Sequence, residues 1–276
     1  METTPIPRTA LRPISVKTTL PALPYPPLAS RPVIKTARLL IRPFTATDLD
    51  ALHTLRTQPE VMAWMPLGQV DGDLEKTKAV LAAKLLHDDR NYSFAICLAA
   101  PSSTGEEEEE HELIGTGGCH SRGGGMLGWP EVGYMLRREH WGRGYGTEFL
   151  EGFMEAWWAL PRCEVAALTV DASTVAEDEL LAADDAAAAA AAAATTADDD
   201  GDDKEDTAAA AAVTAVECIS SFTREDNRAS RRVMTKAGMS LVKIWEVVDM
   251  RDGKTPIDLY GYVARRPVAA ASRPSD

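Results

Sequence analysis

Three absences in the sequence narrow the kinds of protein it can encode. The 276 residues contain no run of about 18 apolar side chains, so no membrane span is predicted. The full P-loop pattern G-x-x-x-x-G-K-[ST] is absent, because the G-K-T tripeptide at Gly253–Thr255 has Val248 where the first glycine is required. No CxxC pair occurs either, so neither a zinc site nor a disulfide framework is indicated. The cysteines are therefore predicted to be free thiols in a reducing compartment; they are Cys97, Cys119, Cys163 and Cys218.

A strongly basic face is also missing. The formal net charge is −13, and most of the negative charge lies in two segments. Residues 171–215 hold 13 acidic side chains and one lysine, and residues 101–112 hold six glutamates. The rest of the chain is close to neutral apart from a basic N-terminal segment. The charge therefore gives no reason to expect a nucleic acid partner.

Three segments lack the apolar periodicity of a folded domain. Residues 1–35 contain eight of the 17 prolines and are predicted to be a disordered tail. This tail has no apolar core of a signal peptide, and its prolines oppose the amphipathic helix of a transit peptide. The expected location is therefore the cytoplasm, with mitochondrial import as the alternative. Residues 171–215, rich in alanine and aspartate, are predicted to be an exposed insertion, and residues 267–276 a C-terminal tail. What remains of residues 36–266 suits one domain.

The remaining sequence alternates between strand-like and helix-like periodicity. The predicted strands are residues 38–44, 93–99, 112–120, 131–136, 165–170 and 216–222, followed by a hairpin about Asp252-Gly253. The predicted helices are residues 47–65 with a break at Pro59, 74–88, 142–158 and 227–237.

A glycine-rich stretch, "WGRGYG" at residues 141–146, lies between a predicted strand and a predicted helix. A helix N-terminus presents free backbone N–H groups and the positive end of the helix dipole. Glycines there let an anion approach the backbone closely, which predicts a pyrophosphate site. The alternative is a simple tight turn. A second glycine-rich stretch, "GGGMLG" at 123–128, precedes a strand rather than a helix and is predicted to be a turn only.

Four stretches in this order resemble the GNAT N-acetyltransferases, and within them the RimJ/RimL-like branch. They are "TARLLIRPF" (36–44), "QPEVMAWMP" (58–66), "EVGYML" with "WGRGYG" (131–146) and "DNRASRRVMTKAGM" (226–239). The resemblance implies an α+β fold with a mixed, mostly antiparallel central sheet and helices on both faces. It also implies that the two middle strands, 131–136 and 216–222, splay apart, and that acetyl-CoA enters the gap as a co-substrate without a metal.

The resemblance implies the residues that would bind acetyl-CoA. The backbone of three residues would hydrogen-bond the pantetheine, namely Met135, Leu136 and Arg137. The pyrophosphate would lie against Trp141, Gly142, Arg143, Gly144, Tyr145, Gly146 and Thr147, with the Arg143 side chain adding positive charge. Asn227 would hydrogen-bond near the pantetheine; the alternative is that it serves only as a helix N-cap.

The reaction that the resemblance implies is acetyl transfer to a primary amine, either a protein N-terminus or a small amine. An alkylammonium has a pKa near 10 and must lose a proton before it attacks a thioester. Glu131 is the candidate base, with His120 and His140 as alternatives. The Leu136 N–H would stabilise the oxyanion. The departing thiolate would take its proton from Ser230, Tyr260, Tyr262 or water.

The sequence departs from the family pattern in two places. Trp141 stands where the acetyl-CoA motif usually has Gln or Arg. Met234 stands where many relatives have a tyrosine general acid, four residues after Ser230. The second departure leaves an alternative function, an acetyl-CoA-binding interaction or sensor module without turnover.

Overall fold

Two β-sheets organise the part of the chain that the structure describes. The computed structural model describes residues 6–86, 91–99, 111–122, 124–183, 185 and 213–267. The strands are β1 Pro13–Pro21, β2 Ile34–Lys35, β3 Leu39–Arg42, β4 Tyr92–Leu98, β5 Leu113–Ser121, β6 Glu131–Leu136, β7 Arg162–Asp171, β8 Val213–Thr214, β9 Cys218–Arg224, β10 Ser240–Val248 and β11 Pro256–Arg265. The helices used below are α1 Leu49–Arg56, α2 Pro59–Met62, α3 Leu74–Leu86, α4 Tyr145–Trp158 and α5 Arg228–Lys236.

The larger sheet has eight strands in the order β10-β11-β9-β6-β5-β4-β3-β2. Its neighbouring strands are antiparallel except for β6 and β9, which run parallel. The predicted α+β fold with a mixed, mostly antiparallel sheet is confirmed. The predicted helix break at Pro59 is also present, with this proline at the first position of α2.

Successive residues of each central strand bury their side chains on opposite faces, as a pleated strand requires. In β4, Ile96 packs with α4, whereas Cys97 packs with α1 and α3. In β11, Tyr262 packs on the α4 side, whereas Val263 packs under the smaller sheet. The face covered by α4 and α5 is called the helical face below. The opposite face is covered in two parts, by α1 and α3 over β3–β5 and by the smaller sheet over β9–β11.

The smaller sheet corrects the prediction that residues 1–35 form a disordered tail. Strand β1 lies between β7 and β8 and pairs with both. Val16 and Leu20 are buried in the core that this sheet shares with β9–β11. Tyr25 lies in the main core, 5.3 Å from Tyr92 between ring centroids. Proline is tolerated at the ends of a strand, so the prolines did not prevent strand formation.

The bounds of the predicted insertion, 171–215, are also too wide. Asp171 and Thr174 are buried, and the Thr174 hydroxyl accepts a hydrogen bond of 2.7 Å from the Trp129 indole. At the other end, Ala215 is buried in the same core. Both ends of the segment are therefore part of the folded domain, while the alanine run and the aspartate-rich stretch lie outside the described residues.

Two further predictions concern the described residues. None of the described helices is long and apolar enough to cross a membrane. The four cysteines are free thiols; Cys163 is half-buried, and the buried ones are Cys97, Cys119 and Cys218.

The role of β1 can be tested by truncating one of its buried side chains. Leu20→Ala is expected to lower the free energy of unfolding by about 2–5 kcal/mol, because it empties a filled core position. Leu11→Ala is the control, since Leu11 is 40% exposed, and it should change stability by less than about 0.5 kcal/mol. Urea unfolding measures both. Equal stability of the two variants would show that β1 does not contribute to the fold.

Candidate active site

The two middle strands of the larger sheet part almost as soon as they meet. Glu131 opposite Ser220 is the one residue pair that joins β6 to β9. Beside it, the Ser220 N–H donates to the Pro130 carbonyl at 2.7 Å. Beyond this point the strands diverge and leave a gap in the sheet. The splay implied by the resemblance is therefore present.

The backbone groups of β6 that face the gap can be assigned from its neighbours. The Arg137 N–H donates to the Ile114 carbonyl on the other side, towards β5. Because backbone groups alternate along a strand, the N–H groups of Tyr134 and Leu136 face the gap. The Leu136 N–H thus has the orientation expected of an oxyanion donor. The Leu136 carbonyl accepts a hydrogen bond of 2.7 Å from the Trp141 indole.

Arg137 does not have the ligand-binding role that the resemblance implies for its backbone. Its N–H is bonded to β5, and its carbonyl accepts from the His140 N–H. Its guanidinium donates to the Ala51 carbonyl at 3.1 Å and to Glu112 at 3.2 Å. Its backbone groups therefore hold the end of β6 and are not free for a ligand, in contrast to the Leu136 N–H.

The loop before α4 supports the predicted anion site. Gly142 and Gly144 have φ of +73° and +85°, which L-residues with side chains rarely adopt. Gly144 is the N-cap of α4 and provides no side-chain cap to the first-turn N–H groups. Residues 141–144 are exposed, and a Cβ on Gly142 would meet nothing within 4 Å. An anion therefore has access to the open end of this helix.

Gly146 serves a different purpose from the two loop glycines. It is buried in the first turn of α4, and a Cβ there would lie 3.0 Å from the Tyr134 ring. Its small size therefore makes room for Tyr134. A larger residue at this position would disturb packing as well as any bound anion. Tyr145 and Thr147, the two helix residues beside it, are half-buried in the same first turn.

Tyr134 links the two helix N-termini that flank the gap, although the sequence analysis did not single it out. Its ring packs on Phe149 of α4, and its hydroxyl lies near the Ser230 side chain of α5. Burial raises the pKa of Tyr134, and the interaction with Ser230 opposes that shift only in part. The sequence signal for Tyr134 is a lone aromatic in "EVGYML" on the same face as Val132 and Leu136.

Asn227 is the N-cap of α5. Its Oδ1 accepts from the Ser230 N–H at 3.1 Å at the start of α5. This bond places the Ser230 side chain at the helix end, next to Tyr134. Met234, one turn further on, is buried in the main core.

Glu131 and His120 form a pair at the closed end of the gap. The His120 Nε2 lies 2.9 Å from the Glu131 Oε1, and the Met126 N–H donates to the Glu131 Oε2 at 3.2 Å. The side chain of Glu131 is 10% exposed, whereas that of His120 is 54% exposed. The structure therefore brings together two residues that the sequence analysis treated as alternative bases.

The other candidate proton carriers lie elsewhere. His140 is buried at the opposite end of β6, 3.7 Å from Glu112. Tyr262 is buried in the main core, and the Tyr260 ring lies against the Arg231 guanidinium at 4.0 Å. Within the described parts of the chain, no three His, Cys, Asp or Glu side chains are grouped to hold a metal ion.

A carboxylate in the first turn of α4 fixes this helix to the edge of the sheet. Glu148 accepts hydrogen bonds from the Thr36 hydroxyl at 2.6 Å and from the Arg38 N–H at 2.7 Å. The Arg38 guanidinium pairs with Glu148 and also donates to the Arg143 carbonyl at 2.9 Å. Burial alone would raise the pKa of Glu148, but the bonds from Thr36 and Arg38 outweigh it and hold the pKa below its ordinary value.

Comparison with known families identifies the architecture. Residues 38–240 match the family described as the acetyltransferase (GNAT) domain, which is most of the chain. The chain belongs to the GNAT acetyltransferase family. An uncharacterized N-acetyltransferase of Bacillus subtilis (strain 168), YoaA, is 26% identical over 121 residues, or 43% of this chain and 62% of that protein. The match therefore spans about three fifths of the length of this curated relative.

Solved structures share the GNAT fold at low sequence identity. A GNAT-family acetyltransferase from Bacillus anthracis is 17% identical, with a TM-score of 0.53 over 85% of this chain and 99% of that one. The microcin C7 self-immunity acetyltransferase MccE, solved with acetyl-CoA and AMP, is 9% identical, with a TM-score of 0.51 over 83% and 93% of the two chains. These likenesses show the fold.

The Glu148 contacts predict a pH-dependent contribution to stability. Because the folded-state pKa is lowered, the carboxylate stabilises the protein above its unfolded-state pKa of about 4.3, and this contribution is lost as the pH falls. Glu148→Gln should cost about 1–2 kcal/mol at pH 7, and the difference from wild type should shrink below about pH 4. Glu151→Gln, on an exposed position of the same helix, is the control. Thermal unfolding across pH measures both; identical curves for the two variants would contradict the assigned role.

Proposed function

We infer that this protein transfers the acetyl group of acetyl-CoA to a primary amine by direct attack of the amine on the thioester. The observation that carries this conclusion is the gap between β6 and β9, which opens next to the uncapped N-terminus of α4. A sheet rarely leaves central backbone groups unbonded, because buried N–H and C=O groups need partners. An extended amide-bearing ligand such as pantetheine supplies those partners.

The described residues offer partners for the pantetheine, the thioester and the pyrophosphate of acetyl-CoA. The N–H groups of Tyr134 and Leu136 would bond the pantetheine amides and the thioester oxygen. The pyrophosphate would lie on the N–H groups that begin α4, near Gly142 and Gly144, where the helix dipole favours negative charge. The exposed Arg143 side chain would add a positive charge beside it.

The chemistry needs two proton transfers besides the attack. The amine nitrogen forms a bond to the acetyl carbon once its ammonium has lost one proton, and a gap-facing N–H of β6, that of Tyr134 or Leu136, stabilises the oxyanion. When the C–S bond breaks, the thiolate takes the second nitrogen proton, directly or through a hydroxyl. Ser230 is the proposed hydroxyl, and the Tyr134 phenol lies near it.

The finer assignments rest on the sequence resemblance. The motifs at 36–44, 58–66 and 226–239 favour the RimJ/RimL-like branch, whose members acetylate protein N-termini or small amines. We propose the same two acceptor classes here, and a cytoplasmic location.

A thiol-release assay separates this function from the alternative of a binding module. The wild-type protein should bind acetyl-CoA and release free thiol when amines, polyamines or peptides with a free N-terminus are added. An N-terminally blocked peptide of the same sequence should release none. Binding without thiol release for any free amine would favour the sensor module over the enzyme.

The loop assignment predicts a selective loss of affinity. Arg143→Glu should weaken acetyl-CoA binding about tenfold, because it places a negative charge beside the pyrophosphate. Its unfolding temperature should stay near that of wild type, since the side chain is exposed. Lys254→Glu makes the same charge change at the tip of the β10–β11 hairpin and should bind normally. Calorimetric titration with acetyl-CoA measures the affinity of both variants. Normal binding by Arg143→Glu would place the pyrophosphate elsewhere.

A further inference from the structure

On the face opposite α4, one part of the larger sheet lies between the region covered by α1 and α3 and the region covered by the smaller sheet. Met135 packs with α1 and α3 on this face, and Leu127 packs under the smaller sheet. Between them, β6 presents Glu131 and Gly133, because odd-numbered residues of β6 point away from the helical face. The His120 ring lies here, with its Cε1 3.2 Å from the position of a Gly133 Cβ. A half-exposed imidazole therefore covers the residue at which β6 and β9 begin to part.

The hydrogen bonds around Glu131 give Glu131 and His120 different roles. Both carboxylate oxygens are engaged, one by His120 and the other by the Met126 N–H. The carboxylate is also buried, so an approaching ammonium does not reach it directly. The imidazole is the exposed member of the pair, and a hydrogen bond to a carboxylate fixes the ring orientation of a histidine.

We propose that His120 is the catalytic base for the acceptor amine and that Glu131 is a positioning residue that acts through it. This assignment rests on the proposed acetyl transfer. The acceptor approaches from the face opposite α4, while the pyrophosphate lies at the α4 terminus on the other side. Neutral His120 takes one proton from the ammonium and passes it to solvent. The free amine then attacks the thioester carbon, and its remaining extra proton leaves with the CoA sulfur as thiol, so that charge and protons balance.

The charged surroundings of His120 are simple. Glu131 of β6 is the titratable group that the structure places against its ring. Tyr92 of β4 and Cys119 of β5 point into the main core on the helical face. Arg122 turns away to the Pro21 carbonyl and the Cys163 sulfur.

The test compares His120→Gln, Glu131→Gln and the double variant by thiol release with an amine that the wild type accepts. His120→Gln should lower kcat/KM about 10²–10⁴-fold at neutral pH, and less at high pH, where free amine is plentiful. Acetyl-CoA affinity should remain that of wild type. Adding Glu131→Gln to His120→Gln should cost little more, because a positioning residue has no further effect once its partner is gone. Imidazole in the buffer should restore at least about a tenth of the activity lost in His120→Ala, by replacing the missing base.

The controls distinguish a failure of this inference from a failure of the proposed acetyl transfer. His111→Gln makes the same change at the other end of β5 and should leave kcat/KM and its pH profile unchanged. A wild type that binds acetyl-CoA but releases no thiol with any amine would overturn the proposed function and the inference with it. An active wild type whose rate and pH profile survive His120→Gln would overturn the inference alone. Additive losses in the double variant would show that Glu131 acts independently of His120.

Discussion

Strands β6 and β9 are neighbours in the sheet and are joined by one residue pair, Glu131 and Ser220. Most of the other features of the site follow from the hydrogen bonds that these strands do not make. An unbonded backbone edge inside a sheet is costly unless a ligand or a side chain satisfies it. The Trp141 indole satisfies one such group, the Leu136 carbonyl, which leaves the neighbouring N–H groups to a ligand.

The helical face holds the gap open by close packing. A Cβ on Gly117 of β5 would lie 2.4 Å from Phe149, so this glycine lets α4 approach the sheet directly. Tyr134 then fills the space between α4 and α5 and keeps their N-termini on either side of the gap. Because interiors are tightly packed, small changes at these contacts move the helix end that would hold the anion.

The fold was largely predictable because its signals are local. The bounds predicted for β6 match the structure, and α4 begins three residues after its predicted start because 142–144 form the loop. Strand β1 was missed although Ile14, Val16, Thr18 and Leu20 alternate as in a half-buried strand; the burial follows that alternation. The density of prolines hid the signal, since two of them cap the strand rather than interrupt it.

The site was predictable only in part, since long-range contacts decide it. The approach of His120 to Glu131 depends on a register shift between Cys119 and Ser121. This shift is a β-bulge, and no residue type in the sequence predicts it. Gly146 was interpreted as a loop glycine, whereas its small size is required by Tyr134, twelve residues earlier in the chain. The cap formed by Asn227, given as the alternative to a pantetheine contact, could be foreseen because capping is a local interaction.

The smaller sheet has a consequence for engineering the chain. Asp171 pairs with Pro13 and Val213 pairs with Val16, so β7 ends and β8 begins on either side of one strand, β1. From strand spacings, Asp171 and Val213 lie about 14 Å apart. A guest domain placed between residues 185 and 213 would keep the buried Ala172, Thr174 and Val175 in the fold, and β1 rather than the guest would set the distance between β7 and β8. The smaller sheet, rather than the larger sheet that contains the β6–β9 gap, would carry a fluorescent or affinity module placed there.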